Sequence, residues 1–388
     1  MKIGIVLPSA PGYSETFFTS KIKGLQTNGF EVILFVNNFS TKTALNCTII
    51  SAPKFSRNKV KNSFLSLYYL MKTVLFSYKS VLKLYKLDKN DNLSFSKCLK
   101  SIVINSHILS QKLDWLHFGF GTMALDRENV AEAIGAKMAV SFRGFDHYVY
   151  PIKNKECYKL LFSKKVKYHV LSEGMKNDLI SKSIPIDKII KITPAINTEL
   201  FCSSFTFENK NNFLTIARLH WIKGLDYSLE ALSILNKKGI DFTYTIIGDG
   251  AERERLQFLV HQLNLRGKVV FLGKLGQDAV KNELEKATYY LQYSFQEGFC
   301  NAVLEAQAMG KICIVSDADG LKENVLNNET GFVVSKRNPE ALAYKIIEII
   351  QLNQHEKESI INNAIDRINS NFTIENQVKQ FIDFYKTN

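Results

Sequence analysis

The stretch Ser294-Phe295-Gln296-Glu297-Gly298-Phe299-Cys300-Asn301-Ala302-Val303-Leu304-Glu305-Ala306-Gln307-Ala308-Met309-Gly310 decides how this chain is read. A short apolar run over 289–293 precedes it and has the length of a buried strand, and 301–309 carries small and apolar residues at helical spacing. The segment therefore predicts a strand, a loop and a helix in succession. Glu297 stands at the end of the expected strand, Gly298 permits a tight loop, and Asn301 is the expected N-cap. The N–H groups of Phe299, Cys300, Asn301, Ala302 and Val303 would then point out of the helix start, where the dipole favours an anion such as a diphosphate. Glu305 falls one turn into the helix, so two carboxylates flank that anion position, and a carboxylate beside a phosphate suits the hydroxyls of a ribose or a sugar ring. Two glutamates eight residues apart are, by themselves, better explained as solvated surface residues; the strand–glycine–helix setting is what reverses that and favours a site.

Working outward, the same alternation recurs. Strands are expected over 213–217, 242–247, 269–272 and 312–316, with helices over 224–238, 252–263 and 278–287 and a helical tail from Pro339. In the first half, 3–7 is a strand stopped by Pro8, 15–27 a helix closed by Asn28-Gly29, and 30–36 a strand; 115–118, 137–142, 168–171 and 189–192 are further buried strands. Repeated strand–helix–strand units argue for parallel sheets. The expected architecture is α/β, with two doubly wound domains in tandem, 1–200 and 201–365, divided in the polar stretch 203–212. Such sheets bind ligands at the carboxyl ends of their strands, which makes the cleft between the halves the expected site.

The 388 residues suit two domains, and 46% apolar composition excludes a disordered chain. The most apolar stretch, 64–76, falls short of the ~20 residues a membrane span needs and is interrupted by Lys72. Pro8 cuts the first apolar run too short for a secretory signal, so a cytoplasmic location is expected. Six scattered cysteines without a Cys-x-x-Cys pair read as reduced thiols. The net charge of +13 is uneven: residues 1–200 carry +15 and residues 201–388 carry −2. Between Lys54 and Lys86 stand eight basic residues and no acid, interleaved with Phe55, Phe64, Leu67, Tyr68 and Phe76. That mixture suits an anionic membrane surface; the alternative is a core-packed helix pair with solvated lysines. No nucleic-acid motif appears, and the slightly acidic second half argues against nucleic acid as a partner.

Residues 294–310 resemble the E-x7-E motif of retaining GT-B glycosyltransferases, notably family 4. Asp319-Gly320 with Glu323-Asn324-Val325 resembles that family's Gly-Gly-x-x-Glu-x-Val pattern, and Thr330-Gly331-Phe332-Val333 its turn–Gly–strand. Ala217-Arg218-Leu219-His220-Trp221-Ile222-Lys223-Gly224 resembles the Arg…Lys-Gly loop, and Ile246-Ile247-Gly248-Asp249-Gly250 the Gly-Asp-Gly turn. Ser14-Glu15-Thr16-Phe17 resembles an N-terminal motif of the subgroup that makes bacterial surface polysaccharides, and Val170-Leu171-Ser172-Glu173 and 191–197 also fit. The resemblance covers nearly the whole chain and is most specific in its second half.

The resemblance implies a GT-B fold of two Rossmann-like domains, with a helix in 366–388 crossing back to the first. It implies retaining, metal-independent transfer of a sugar from a UDP- or GDP-linked donor, with no cofactor. The acceptor would be a glycan or lipid-linked glycan in polysaccharide synthesis, at the inner face of the membrane. Arg218 and Lys223 make physical sense there, because fixed cations on a departing diphosphate stabilise the transition state more than the ground state; the plain alternative is two surface cations. By analogy Glu305 holds the ribose, the main chain of Gly298 and of Phe299 to Val303 holds sugar and phosphate, and Glu297 lies near the reacting centre. Gly248 and the backbone at Leu275 complete the donor side. Cys300, where glycine is usual, is read as tolerated and not as a nucleophile. The family's N-domain histidine is replaced by Arg143 in Ser141-Phe142-Arg143-Gly144-Phe145-Asp146. Arg143 either grips an acidic acceptor or the donor phosphates, with Asp146 orienting it, or the two brace the loop. His117 either lines the cleft with Gly12 and Ser14 or is a packed core histidine. Asp317-Ala318-Asp319 matches a metal-holding pattern of another glycosyltransferase fold, and no metal is expected. A UDP-sugar 2-epimerase on a related fold is the alternative function; it would interconvert UDP-sugars with no acceptor.

Overall fold

Apolar strands bounded by short helical crossovers build two wholly parallel sheets in the computed structural model, which describes residues 1–12, 16–38, 45–202 and 210–387. The first comprises β1 (Lys2–Ser9), β2 (Glu31–Asn38), β3 (Thr48–Ser51), β4 (Trp115–Phe118), β5 (Lys137–Ser141), β6 (Val166–Val170) and β7 (Ile189–Lys191), in the order β3-β2-β1-β4-β5-β6-β7. The second comprises β8 (Asn212–Ile216), β9 (Thr243–Ile247), β10 (Val269–Gly273), β11 (Tyr289–Gln292), β12 (Ile312–Ser316) and β13 (Phe332–Val334), in the order β10-β9-β8-β11-β12-β13. Central strands are buried where helices cover both faces: β12 along its whole length and β1 over its apolar stretch 3–7. The strand order reverses between β1 and β4 and again between β8 and β11. These are the topological switch points, where the loops leaving neighbouring strands diverge and open a crevice.

The chain divides into Met1–Ile192 with Val378–Asn388, and Thr193–Gln377. The division falls earlier than the expected residue 200, and the return to the first unit comes at Val378, later than the expected 366. The cause of the late return is visible in the core. Helix Gln354–Asn371 packs Ile360 and Ile361 into the second unit, whereas Phe381, Phe384 and Tyr385 of helix Ile374–Lys386 belong to the core of the first.

The run between Lys54 and Lys86 falls mostly within Lys59–Asn90, where two helical segments join across a kink. Asn58 caps it by accepting from the N–H groups of Val60 and Lys61, and the backbone leaves helical geometry once, at Ser77 (φ −146°, ψ 36°). No helix of the described residues is long and apolar enough to cross a membrane.

Candidate functional site

At the switch point of the second sheet, the loop after β8 carries Arg218 and Lys223 and the loop after β11 carries Glu297. Glycines bring these loops together. A Cβ on Gly248 would lie 1.8 Å from the Ala217 carbonyl oxygen, and one on Gly224, at φ +59°, would lie 2.2 Å from that of Tyr293. Hydrogen bonds fix the arrangement: Leu219 N–H donates to Asp249 O (3.0 Å), Phe295 N–H to Ile222 O (2.8 Å) and Gly320 N–H to Glu297 O (3.2 Å). The N–H of Gly248 donates to Gly273 O (2.8 Å), so this expected donor-binding residue acts in loop packing.

The Lys223 ammonium is ion-paired with Glu297, both side chains being largely withdrawn from water (16% and 11% exposed). Burial works against charge on Lys223, but the Glu297 carboxylate more than offsets it, and the pKa of Lys223 is raised. Arg218 is exposed, and its charge acts against that of Lys223, so two cations and one carboxylate share the crevice. Ser294 Oγ donates to Glu297 Oε1 (2.9 Å), Gln292 Nε2 donates to Ser294 Oγ (2.8 Å), and Tyr290 donates to Gln292 Oε1 (3.1 Å). Glu297 is thus anchored by polar residues at the end of an otherwise apolar strand.

The following helix is Asn301–Ala308, and its N-cap position is Cys300, with no side-chain cap. The expectation of an Asn301 cap is corrected: Asn301 is the first helical residue. The crowd of free N–H groups is smaller than expected. Cys300 N–H donates to Asn324 Oδ1 (3.0 Å), and Asn324 Nδ2 returns a bond to Cys300 O (3.1 Å). The N–H groups of Phe299, Asn301 and Ala302 retain no protein acceptor among the described residues. Burial pushes the Cys300 thiol up to about 12, which keeps it protonated and unsuited to nucleophilic attack. Glu305 is half-buried, has no hydrogen-bond or ion-pair partner among the described residues, and burial lifts its carboxyl to about 7. A carboxylate so placed lacks the donors that ligand hydroxyls would bring. Leu275 is half-buried in the loop after β10.

The loop is braced by residues with little local signal in the sequence. Arg367 donates to the carbonyls of Asn324 (2.8 Å) and Glu323 (2.6 Å) and lies over Phe372, which touches Phe299. The signal available for Asn324 was its place in Glu323-Asn324-Val325; Arg367, on a distant helix, left none. Asp317 Oδ1 accepts Lys336 N–H (3.0 Å) and Asp319 Oδ2 accepts Gln296 Nε2 (3.2 Å), so the Asp-x-Asp pair serves two separate contacts. Among the described residues no three His, Cys, Asp or Glu side chains are grouped to hold a metal.

In the first unit, the Arg143 guanidinium stacks on Phe17 (3.7 Å to the ring centre) and lies over Phe18 and Phe120. Asp146 does not orient that guanidinium. Its carboxylate accepts the backbone N–H groups of Gly121 (2.6 Å) and Arg143 (2.9 Å), and burial lifts it to about 7. Gly12 lies in the loop after β1; Ser14 lies outside the described residues. His117 is corrected from cleft to core: it is fully buried, with Nδ1 2.5 Å from the Tyr385 hydroxyl and 3.3 Å from Lys21 Nζ, and Nε2 2.8 Å from Ser141 Oγ. Ser141 Oγ continues to His169 Nδ1 (2.7 Å), and His169 Nε2 to Ile192 O (2.9 Å). That carbonyl can only accept, so His169 donates from Nε2, Ser141 donates to His169, and His117 donates from Nε2 to Ser141.

The family profile described as Glycosyl transferases group 1 matches residues 197–367. An uncharacterised glycosyltransferase of Methanocaldococcus jannaschii is 29% identical over 56% of this chain and 58% of its own length. The amylovoran biosynthesis glycosyltransferase AmsK of Erwinia amylovora is 27% identical over 61% of this chain and 60% of its own. The chain thus spans about three fifths of the length of these curated relatives. Among solved structures, Anabaena HepE in complex with UDP-glucose superposes with a TM-score of 0.74 at 14% identity, covering 99% of this chain and 98% of that one. This likeness establishes the fold, two Rossmann-like doubly wound units of the GT-B type.

Proposed function

We propose, from the premise that residues 197–367 belong to the glycosyl transferases group 1, that this chain is a retaining, metal-independent glycosyltransferase. It moves a sugar from a nucleoside-diphosphate donor to a glycan or lipid-linked glycan during polysaccharide synthesis. The observation that carries the reading is the constellation at the β8/β11 switch point: Arg218 and the Lys223–Glu297 pair beside a helix start with open N–H groups, and Glu305 unsatisfied one turn further on. The open N–H groups and the two cations suit a diphosphate, and Glu305 suits the ribose hydroxyls. As negative charge grows on the departing diphosphate, Arg218 and Lys223 stabilise it, Lys223 exchanging part of its contact with Glu297 for phosphate oxygen. Glu297, freed on that side, meets the donor sugar. Retention follows same-face attack, with the donor phosphate assisting deprotonation of the acceptor hydroxyl. Arg143 grips an acidic acceptor or the donor phosphates.

HepE was solved with UDP-glucose and AmsK is named for amylovoran biosynthesis, which supports a UDP-linked donor and a polysaccharide product. The relatives named above are glycosyltransferases, which favours transfer over 2-epimerisation. A lipid-linked acceptor places the chain in the cytoplasm, peripheral at the inner membrane face, through the basic run between Lys54 and Lys86. A thermal-shift panel of nucleotide sugars selects the donor. Glu305→Ala and Arg218→Ala are each expected to abolish most donor hydrolysis and transfer; if both variants keep wild-type rates, the assignment fails.

A further inference from the structure

The helix Lys59–Asn90 has three distinct sides. One packs inward through Val81, Leu84 and Asp88. A second, on the segment before Ser77, is an exposed apolar stripe at three- and four-residue spacing: Val60, Phe64 (71% exposed), Leu67, Met71 (65%) and Leu75 (74%). Lys61 and Lys72 flank that stripe before the break at Ser77, and Lys79, Lys83 and Lys86 follow it, all exposed. A solvated helix of a soluble domain has polar residues where this one has its apolar stripe.

Beneath the lysine flank, beside the break at Ser77, is a cavity of about 350 Å³ between this helix, β3 and helix Ser106–Leu109. Lys72, Ser77, Ser106, His107, Ser110 and Gln111 bring hydrogen-bond donors to its wall, and no Asp or Glu lines it. Lys72 pairs with no carboxylate, and Ser106, only 8% exposed, has no hydrogen-bond partner among the described residues. Burial and the Arg127 charge hold His107 neutral, at about 3. Ile50, Pro53, Tyr69 and Phe76 supply the apolar part of the wall.

We infer that this cavity is a binding site for the phosphate headgroup of an anionic membrane lipid, with the apolar stripe of the helix seated in the outer acyl region above it. Charge decides the occupant. A donor-rich wall without acids, opening on a flank of lysines, complements phosphate, and the apolar stripe alongside complements acyl chains. A second copy of this chain would bring its own lysines against these. The inference builds on the proposed membrane contact but not on the transfer reaction. A chain that binds vesicles yet hydrolyses no nucleotide sugar refutes the transferase and leaves the headgroup site standing.

The test is co-sedimentation with vesicles of phosphatidylcholine alone and of phosphatidylcholine containing about one-third phosphatidylglycerol. The full chain is expected to prefer the anionic vesicles by about tenfold or more. Phe64→Ser with Met71→Ser should weaken binding to both vesicle types. Lys72→Gln, and Ser106→Leu filling the cavity, should each cut the anionic preference several-fold while residual binding persists. Lys72 is exposed, so its variant keeps the test open if Ser106→Leu does not fold. Two results overturn the inference: Lys72→Gln and a folded Ser106→Leu leaving the preference intact, or sedimentation showing a dimer through this helix with no vesicle binding.

Discussion

Lys21 and Lys223 are both withdrawn from water, and their surroundings act on them in opposite senses. Lys223 has the Glu297 carboxylate against it, and its positive charge is favoured. Lys21 has two neutral histidines in its neighbourhood, the ring of Phe381 at 4.0 Å and the hostile charge of Arg143, and its pKa is lowered well below that of a free lysine. The first cluster holds a formal cation ready for an anion; the second holds a polar chain that closes on itself at the Ile192 carbonyl. Burial of a titratable group therefore does not mark a site. What marks it is charge kept at the end of a strand, among loops, with hydrogen-bonding capacity left over for a ligand.

The sharpest way to break the contrast is Lys223→Ala, expected to lower kcat/KM by about 10²–10³-fold, the range for removing one fixed stabiliser of developing charge. Glu297→Gln tests the same pair from the other side. It keeps the Ser294 contact but removes the charge that raises the Lys223 pKa, so the alkaline limb of the kcat/KM profile should move to lower pH. A lysine raised in the folded state contributes stability that is fully present below its unfolded value of 10.5 and is lost as pH rises through the folded one. The variant should be destabilised across neutral pH by about 2 kcal/mol, between the values for exposed and buried pairs, and its stability curve should approach that of the wild type only above pH 10.5. Unchanged turnover in Lys223→Ala would place the lysine with Lys21, as structure alone.

A smaller effect, about tenfold, is expected at Glu305. Its carboxyl is raised to about 7 by burial alone, and ribose hydroxyls satisfy the ionised form best. Affinity for the nucleotide sugar selected by the panel should therefore rise about tenfold between pH 6 and pH 8, measured by calorimetry, and Glu305→Gln should flatten that dependence. The stability of the free protein runs the other way. A raised carboxyl contributes stability that is full below the unfolded value of 4.5 and lost as pH rises through about 7. Opposite slopes for binding and for folding in one protein, both removed by one substitution, are hard to produce by any other group.

Much of this site was legible in the sequence because its determinants are local. Gly248 and Gly224 are demanded by a carbonyl within 2.2 Å of where a Cβ would stand, and each lies within a few residues of the Arg218 or Asp249 that it positions. The alternation of apolar runs and helical spacing read most of both sheets for the same reason, except two edge strands: β3, which is only half-buried and lacks a continuous apolar pattern, and the three-residue β13, which entered only through the resemblance. His117 left two readings open, cleft or core, and its place in the strand decides between them. It lies inside β4, one before Phe118, and within a sheet covered on both faces every strand side chain is buried whichever way it points. Glu297 lies past the end of β11, among loops, where a side chain reaches the crevice. The long helix was obscured by its own composition, since its apolar stripe faces out and its inward side is partly polar. Partners from remote sequence, Arg367 for the 299–300 loop and Tyr385 for His117, follow from topology and could not be read locally.

The gentlest test of the contrast removes the other lysine. Lys21→Met replaces a buried amine by a side chain of similar length, and its turnover should remain close to wild type. Because burial already disfavours charge on Lys21, an apolar group of like volume there is expected to be neutral or stabilising. The Tyr385 hydroxyl still donates to His117 Nδ1, so the substitution strands no acceptor in that chain. The pH course follows from the direction of each shift. Lys21, His117 and His169 are all lowered, so the unfolded chain binds more protons than the folded one, and stability falls as pH drops below 10.5 for the lysine and below 6.5 for the histidines. In Lys21→Met the alkaline part of that slope should vanish and the acid part should remain. Nitrogen NMR on the same variant should still find both imidazoles neutral with the proton on Nε2, the tautomer that the Ile192 carbonyl imposes along the chain. A variant that loses turnover while its melting temperature holds would show that Lys21 acts on the reaction after all, and the line drawn between the two lysines would have to move.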